Sequence, residues 1–114
     1  MISYTPLPKD PMPEFPLPDE EILEGTPDCR GLFTVESADE GASAGFWSCD
    51  VGRYEFYFGY DEFVYLIEGE LEVSCEGQSY TLRPGDSALF PQGSTSIWHV
   101  KSKMKKYFVA RAPY

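Results

Sequence analysis

The sequence has little positive charge and almost no histidine. Its 114 residues include one histidine and nine lysines and arginines, against nineteen aspartates and glutamates, and the formal net charge is −10. This balance disfavours nucleic acid and anionic membrane surfaces as partners, because both require a basic surface on the protein. No apolar run approaches the roughly 18 residues of a membrane-spanning helix. We therefore expect the partner to be a small molecule or another protein.

The chain also lacks the cysteine patterns of metal sites and disulfide frameworks. Its three cysteines, Cys29, Cys49 and Cys75, are odd in number and show no CxxC or Cys/His spacing. The first residues lack the basic and then apolar pattern of a secretory signal peptide. These features predict three buried, unpaired thiols with a structural role, and a cytoplasmic location.

Aromatic residues are abundant, with eight Phe, eight Tyr and two Trp, and such residues favour β-strands. From residue 31 onward, short apolar runs alternate with turn residues, and no stretch shows the helical period of 3.6. The predicted strands are GLFTVE, AGFWSCDV, RYEFYF, EFVYLIEG, ELEVSC, QSYTL, SALFP, TSIWHV and KKYFVAR. Strands at this spacing predict an all-β sandwich or barrel, and the chain length suits one domain.

Turn residues separate several of these runs. Pro84-Gly85-Asp86 predicts a type II turn, because proline suits the second position and glycine the third. Glu76-Gly77 predicts a second turn. Gly69 is expected to end the strand that begins at Glu62.

Residues 1–28 differ in composition from the rest of the chain. They contain seven of the ten prolines and seven of the nineteen acidic residues, with one lysine. Proline fixes φ and lacks the N–H donor, so this segment cannot build a helix or a central strand. We predict an extended arm over residues 1–28 and a β-barrel over residues 29–114. The apolar residues of the arm predict that it docks on the barrel or on a second subunit.

Glu62 stands out within the run DEFVYLIEGE. Alternate side chains of a strand share a face, so Glu62 points the same way as Val64 and Leu66. A carboxylate on an apolar face needs a partner, since an isolated buried charge is costly and takes up a proton instead. The sequence therefore predicts a cation or a hydrogen-bond donor beside Glu62.

Three side chains are candidates for that partner. Lys105 and Lys106 are adjacent in the last predicted strand, so one of them is expected to face the interior, and Lys106 is the candidate. The other candidates are the hydroxyls of Tyr57 and Ser96. Together with the rings of Trp47, Phe56 and Trp98, these groups predict a pocket that is mostly apolar with a few polar groups.

Two spaced motifs resemble those of the cupin family. The family's first motif ends in Glu, six residues and Gly, as in Glu62 to Gly69, and its second begins Gly, five residues, Pro, one residue and Gly, as in Gly85 to Gly93. DEFVYLIEG, the PxG turn, Trp98 and Lys106 are most similar to the small single-domain group related to the cupin modules of ureidoglycine aminohydrolase and ethanolamine-utilisation proteins. The resemblance covers roughly residues 31–110. It implies a jelly-roll barrel, the double-stranded β-helix, and a homodimer to which the arm contributes.

The resemblance also implies where a metal centre would lie. Metal-binding cupins supply an HxH pair before the Glu and a third histidine two residues after the PxG turn, where this chain has Ser96. The pair becomes Glu55 and Tyr57, or Phe56 and Phe58, depending on the register. Neither set is a usual transition-metal cage. We therefore predict no cofactor, with weakly held Mn or Mg as the alternative.

These observations predict a cupin with a degenerate metal site that binds a small polar metabolite of amine, amide or ureido type. Glu62 and Lys106 are the candidate catalytic residues, although the sequence leaves open whether the protein is an enzyme. The candidate ligand-binding residues are Trp47, Glu55, Phe56, Tyr57, Glu62, Ser96 and Trp98. The alternative is a metal-dependent hydrolase or isomerase resembling ureidoglycine aminohydrolase, with Glu55, Asp61 and Glu62 as oxygen ligands. A third hypothesis gives the acidic arm a structural or regulatory role.

Overall fold

Short apolar runs with period-two alternation form the strands of this protein. The computed structural model describes residues 2–111, which contain eight strands, one short 3₁₀ helix (Asp19–Glu21) and no α-helix. The strands are β1 (Ile22–Glu24), β2 (Arg30–Glu36), β3 (Ala42–Cys49), β4 (Gly52–Tyr57), β5 (Asp61–Cys75), β6 (Gln78–Leu82), β7 (Ser87–Phe90) and β8 (Thr95–Arg111). The predicted all-β class is confirmed. Over this part of the chain, no helix has the length and apolar character needed to cross a membrane.

Two long strands, β5 and β8, connect the whole sheet. One path through the sheet runs β1-β4-β8-β3-β2, and β5 pairs with β6, β7 and β8. All of these pairings are antiparallel. Because β8 contacts β3, β4 and β5 along its length, its inward side chains lie at the centre of the molecule.

Two pairs of the nine predicted strands are continuous, which leaves seven, and β1 in the arm, which was not predicted, brings the number to eight. EFVYLIEG and ELEVSC form β5, and TSIWHV and KKYFVAR lie in β8. The prediction that Gly69 ends a strand is wrong. Gly69 has a φ of 91° and lies inside β5 where the register against β8 shifts, so the strand bends there and continues. A Cβ at Gly69 would collide with the backbone carbonyl of Lys103.

The two predicted turns are confirmed. The Asp86 N–H donates to the Arg83 carbonyl at 2.9 Å, and Gly85 has a φ of 96°, as the third position of a type II turn requires. Glu76 and Gly77, with φ values of 50° and 79°, connect β5 to β6. Positive φ at both residues of a two-residue connection is typical of a type I′ hairpin.

The interior is built from alternating residues of β5, β8 and β4. On β5 the buried side chains include Glu62, Val64 and Leu66, so the predicted face of Glu62 is confirmed. Aromatic rings fill much of the remaining space. The rings of Phe56 and Trp98 meet edge to face with their centroids 4.9 Å apart, an arrangement that aromatic pairs favour.

The three cysteines are free thiols. Cys29 and Cys49 are buried side by side, with their Sγ atoms 3.1 Å apart. Cys75 is half-buried, so the expectation that all three are buried holds only for the first two. The buried pair packs in the core beside Tyr54.

The proline-rich arm lies along its own barrel. Met12 is buried, the Phe15 N–H donates to the Cys29 carbonyl at 2.8 Å and the Gly31 N–H donates to the Pro13 carbonyl at 2.9 Å. The chain then forms the 3₁₀ helix and β1, a three-residue strand at the edge of the sheet. The arm therefore contributes one short edge strand and one 3₁₀ turn, and the prediction that it builds no helix is wrong for Asp19–Glu21.

Candidate functional site

The partner of the buried Glu62 carboxylate is Lys106. The two residues lie on neighbouring strands, β5 and β8, and both side chains face the interior. Lys106 Nζ donates to Glu62 Oε2 at 2.7 Å, and the two side chains are 9% and 6% exposed. Because each charge is removed from water, each depends on the other for compensation.

Aromatic rings surround the Lys106 ammonium. Nζ lies 4.6 Å from the ring centroid of Trp98, 5.1 Å from that of Trp47 and 5.4 Å from that of Phe108. Cations within about 6 Å of a ring centroid are attracted by the negative ring face. The rings and the carboxylate therefore both stabilise a positive charge at this position.

The adjacent lysine has a different role. Lys105 points to the opposite face of β8, as strand alternation predicts, and its ammonium donates to the Asp10 carboxylate of the arm at 2.9 Å. Although Lys105 points away from the interior, its side chain is only 7% exposed. The two consecutive lysines thus hold the interior carboxylate on one side and the arm on the other.

A cavity of about 250 Å³ adjoins the Glu62–Lys106 pair. The barrel lines it with Glu62, Lys106, Trp47, Phe56, Phe58 and Phe108, among others. The arm contributes Phe15, Pro16, Leu17, Pro18 and Glu21. The candidate pocket therefore lies between the barrel and the arm, and it is mostly apolar with one buried ion pair.

Two titratable side chains also line this cavity, Glu21 from the arm and Tyr60 from the barrel, and the sequence analysis identified neither. Burial raises the pKa of the Glu21 carboxyl, and the charge of Glu20 adds to the effect. Burial raises the pKa of the Tyr60 phenol, and the carboxylates of Glu62 and Glu21 add to that effect. No strand pattern could have revealed them, because Glu21 lies in the 3₁₀ helix and Tyr60 in the turn before β5. Phe108, two residues after Lys106, could have been found by alternation.

The structure brings together five of the predicted site residues. Those that line the cavity are Trp47, Phe56, Tyr57, Glu62 and Lys106. Trp98 lies beneath Lys106, and its indole N–H donates to Ser96 Oγ at 2.9 Å. Ser96 therefore holds the Trp98 ring in place, and its hydroxyl is not the partner of Glu62.

The register of β4, which the sequence left open, is resolved. Phe56 and Phe58 face the interior, whereas Glu55 is exposed on the outer face and does not line the cavity. Tyr57 is 68% exposed, so it contributes to the rim of the cavity and its hydroxyl does not serve Glu62. Glu55 is accordingly removed from the candidate site.

The residues at the implied metal position do not fit a metal ion. Glu62 is paired with an ammonium, Ser96 is bonded to Trp98, and Phe56 and Phe58 occupy the place of the histidine pair. The oxygen ligands of the alternative hypothesis do not converge, because Glu55 and Asp61 are both exposed and Asp61 accepts the Gln92 N–H at 2.9 Å. Within residues 2–111, no group of three or more His, Cys, Asp and Glu side chains is arranged to hold an ion.

A larger cavity, of about 550 Å³, lies between β6 and β7. Its carboxylates, Glu76 and Asp86, are exposed in turns, and the Asp86 carboxylate accepts the Arg83 N–H at 2.8 Å. Neither Glu62 nor Lys106 lines it. The smaller cavity is therefore the better candidate, because it combines an aromatic wall with a buried ion pair.

Several known proteins are similar to this chain in sequence, and others are similar in fold. The family model of the EutQ-like cupin domain matches residues 36–108. The acetate kinase EutQ of Escherichia coli strain K12 is 35% identical over 86 residues, which cover 74% of this chain and 37% of that protein. The polyketide synthase CurC of Streptomyces cyaneus is 36% identical over 70 residues, which cover 56% of this chain and 44% of that protein. The chain thus spans less than half the length of these relatives.

Solved structures agree on the architecture. The EutQ protein of Clostridium difficile has a TM-score of 0.65 with this chain at 18% identity, covering 75% of this chain and 64% of that one. A cupin superfamily protein of Desulfitobacterium hafniense DCB-2 has a TM-score of 0.67 at 19% identity, covering 94% and 95% of the two chains. The predicted cupin barrel is confirmed by these shared folds, and the resemblance to cupins of ethanolamine utilisation is confirmed by the family match. The chain belongs to the family of EutQ-like cupin domains.

Proposed function

We propose that this protein binds a small polar organic molecule of amine, amide or ureido type in the pocket between the barrel and the arm. The observation that supports this most strongly is the Glu62–Lys106 pair, which lines an aromatic cavity with its two charged atoms 2.7 Å apart. A hydrogen-bond acceptor and a donor therefore lie side by side within an apolar wall. Ligand sites commonly combine such walls with a few placed polar groups.

The size of the cavity supports a ligand of metabolite size. Its volume is about 250 Å³, which lies below the roughly 300 to 1,000 Å³ of pockets that bury drug-sized molecules. The rings of Phe56 and Phe58 offer flat apolar surfaces for the body of such a molecule. Glu62 and Lys106 are the buried pair of the cavity that could exchange a proton with it, so we propose them as the catalytic pair of any turnover.

The binding test uses the two tryptophans as reporters. Trp47 and Trp98 are the only tryptophans in the chain, and both contact Lys106. Benzylamine, benzamide and phenylurea are titrated against the protein while the intrinsic fluorescence is recorded. We expect a saturable change with at least one of the three probes. Absence of any change up to millimolar concentration, confirmed by calorimetry, would reject the proposed function.

A matched pair of variants assigns the binding to this pocket. Glu62→Gln should weaken the affinity for the bound probe by about 10-fold or more, because hydrogen bonds to charged groups contribute about 1.5 to 3 kcal/mol. The control is Glu72→Gln, which changes an exposed carboxylate of β5 that pairs with Lys101 at 3.5 Å. Its affinity should equal that of the wild type. Equal affinities for all three proteins would place the binding elsewhere.

We also propose that the protein is a cytoplasmic homodimer. Phe63, Tyr65 and Leu89 are about half-exposed on the outer face of β5 and β7, where Phe63 and Leu89 are direct neighbours. Such an apolar sheet face supports pairing with a second copy. The free thiols support a reducing compartment.

A further inference from the structure

The Lys106 ammonium occupies the type of site that proteins build for amine ligands. Such sites combine aromatic ring faces with a negative group. Here Glu62 Oε2 lies 2.7 Å from Nζ, and the ring centroids of Trp98 and Trp47 lie 4.6 Å and 5.1 Å from it. The lysine side chain thus fills the position that an ammonium from solution would otherwise take.

A second ammonium in the adjoining cavity would meet this charge. Like charges repel strongly where little water screens them, and Lys106 is 9% exposed at its side chain. The buried carboxylate that could offset the new charge is already shared with Lys106. Glu21, the other carboxyl of the cavity, lies in the arm, and its pKa is raised by burial and by the charge of Glu20.

An uncharged amide or ureido group meets a more favourable environment. It presents a carbonyl oxygen and an N–H side by side, which match one donor and one acceptor. An ammonium has three N–H donors, and Lys106 uses one of them on Glu62 Oε2. A carboxylate has about four acceptor positions on its two oxygens. The pair can therefore hold both groups of such a ligand while it keeps its own hydrogen bond.

We infer that the pocket selects uncharged amide or ureido compounds over amines, and that Lys106 determines this specificity by acting as a built-in occupant of the ammonium site. The inference rests on the proposed binding function, since it names the ligand class of the same pocket. On this inference, the rings of Trp47, Trp98 and Phe108 surround the ammonium of the protein's own lysine in place of a ligand ammonium. It predicts that removal of this lysine creates a site for an external amine.

The first experiment replaces the lysine with a free amine. Lys106→Ala removes three methylenes and the ammonium, which n-propylamine can supply, and n-propanol serves as the uncharged control. At neutral pH, n-propylamine should raise the thermal unfolding midpoint of Lys106→Ala in a concentration-dependent way. It should leave the wild type unchanged, and n-propanol should have no comparable effect on the variant. A variant that responds equally to both compounds, or to neither, would overturn the inference.

The matched control is Lys105→Ala. Lys105 is equally buried and also ion-paired, but its partner is Asp10, and within residues 2–111 its ammonium does not lie over an aromatic ring. Lys105→Ala should therefore show no response to n-propylamine. A response as large as that of Lys106→Ala would mean that the amine acts unspecifically, which contradicts the inference.

The second experiment measures specificity with benzylamine, benzamide and phenylurea. The wild type should prefer an uncharged probe over benzylamine by about 10-fold or more, because the ammonium of benzylamine would lie beside the buried charge of Lys106, whose partner Glu62 is already engaged. Lys106→Met keeps the unbranched chain as far as the ε position and removes the charge, so it should bind benzylamine more tightly than the wild type does. If Lys106→Ala does not fold, the benzylamine affinity of Lys106→Met provides the test of the inference.

The outcomes separate this inference from the proposed function. If the wild type binds benzylamine as tightly as benzamide and phenylurea, the inference fails while the binding function stands. If the wild type binds none of the three, the binding function fails, and the response of Lys106→Ala to n-propylamine still decides whether Lys106 occupies an ammonium site. A benzylamine affinity of Lys106→Met equal to that of the wild type overturns the specificity role of Lys106.

Discussion

Glu62 and Lys106 are 44 residues apart in the chain and meet because β5 and β8 run antiparallel. Leu66 lies opposite Lys106 and Glu62 lies opposite Ala110, so a long lysine side chain is needed to cover the offset of four residues on β8. The ammonium then reaches the carboxylate inside a cage of aromatic rings. At the residue scale, the site is thus a desolvated charge pair whose members depend on each other.

Double-mutant analysis tests this dependence. Glu62→Ala should cost about 3 to 5 kcal/mol of unfolding free energy, because it leaves a buried charge uncompensated. Glu62→Gln should cost less, since the amide keeps an acceptor. Lys106→Met added to Glu62→Ala should recover part of the loss. Urea denaturation of the single and double variants measures the coupling.

The exposed Lys101–Glu72 pair provides the comparison. Its atoms are 3.5 Å apart and its side chains are 41% and 37% exposed, so Glu72→Ala should change the stability by about 0.5 kcal/mol or less. Additive losses for Glu62 and Lys106 would show that the two charges do not depend on each other. That result would remove the pair from the candidate site.

At the scale of elements, β5 has one glycine at the bend inside the strand and another in the turn that follows it. Gly69 and Gly77 both have positive φ, 91° and 79°. A Cβ at Gly69 would collide with the Lys103 backbone, whereas a Cβ at Gly77 would have no atom within 4 Å. A comparison of substitutions at the two glycines therefore separates the cost of backbone strain from the cost of steric collision.

Alanine substitution of each glycine tests this difference. Gly77→Ala should cost about 1 kcal/mol or slightly more, since it places a side chain at positive φ without a collision. Gly69→Ala should cost clearly more, because the same strain is joined by displacement of β8 from β5. Chemical denaturation measures both. Equal costs would show that β5 can shift at Gly69 without loss of packing.

The arm is the second element that defines the pocket, and its docking should depend on pH. The folded pKa of Glu21 is raised by burial and by Glu20 above its ordinary value of 4.5. A raised carboxyl pKa means that the folded state binds more protons, so this contribution to stability is present below pH 4.5 and is lost as the pH rises through the folded pKa.

Glu21→Gln removes this titration and should therefore stabilise the protein at neutral pH relative to the wild type. It should also flatten the fall in stability just above pH 4.5. Thermal unfolding across this range gives the measurement, with Glu36→Gln at the exposed end of β2 as the control. A control that behaves like Glu21→Gln would assign the effect to net charge alone.

At the scale of the whole molecule, an apolar outer sheet face is exposed within residues 2–111. Phe63, Tyr65 and Leu89 are 51%, 49% and 50% exposed, and Phe63 and Tyr65 lie opposite Val109 and Tyr107 of β8. These residues form one continuous outer face, because paired residues of neighbouring strands point to the same side. Its extent is the basis for the proposed homodimer.

Sedimentation tests the proposed dimer. We expect the wild type to sediment as a dimer and Tyr65→Glu to sediment as a monomer, because the change places a charge in the centre of this face. Tyr80→Glu is the control, since Tyr80 is 62% exposed on β6, outside this face. Deletion of residues 2–18 tests the predicted contribution of the arm. A monomeric wild type rejects the homodimer, and a deletion variant with an unchanged dimer confines the interface to the sheet.

The sequence by itself determined the features that depend on local backbone geometry. The face of Glu62 follows from the period-two alternation of any strand, and the turn at Pro84-Gly85 follows from the φ angles that these residues favour. The spacing from Glu62 to Gly69 and from Gly85 to Gly93 was sufficient to indicate the family. Each of these signals lies within a few residues of chain, where side chain and backbone directly constrain each other.

Only the tertiary structure decided what lies beside Glu62. Lys106, Tyr57 and Ser96 were all chemically able to satisfy it, and the choice depended on strand registers set by the packing of the whole barrel. A shift of one residue in the register of β4 would have placed Glu55 in the interior and Phe56 on the outer face. The covering of the pocket by residues 15–18 depended on contacts between the arm and the distant strands that line the same cavity. Such contacts have no local signature, because they arise when segments far apart in the chain bury their apolar surfaces together.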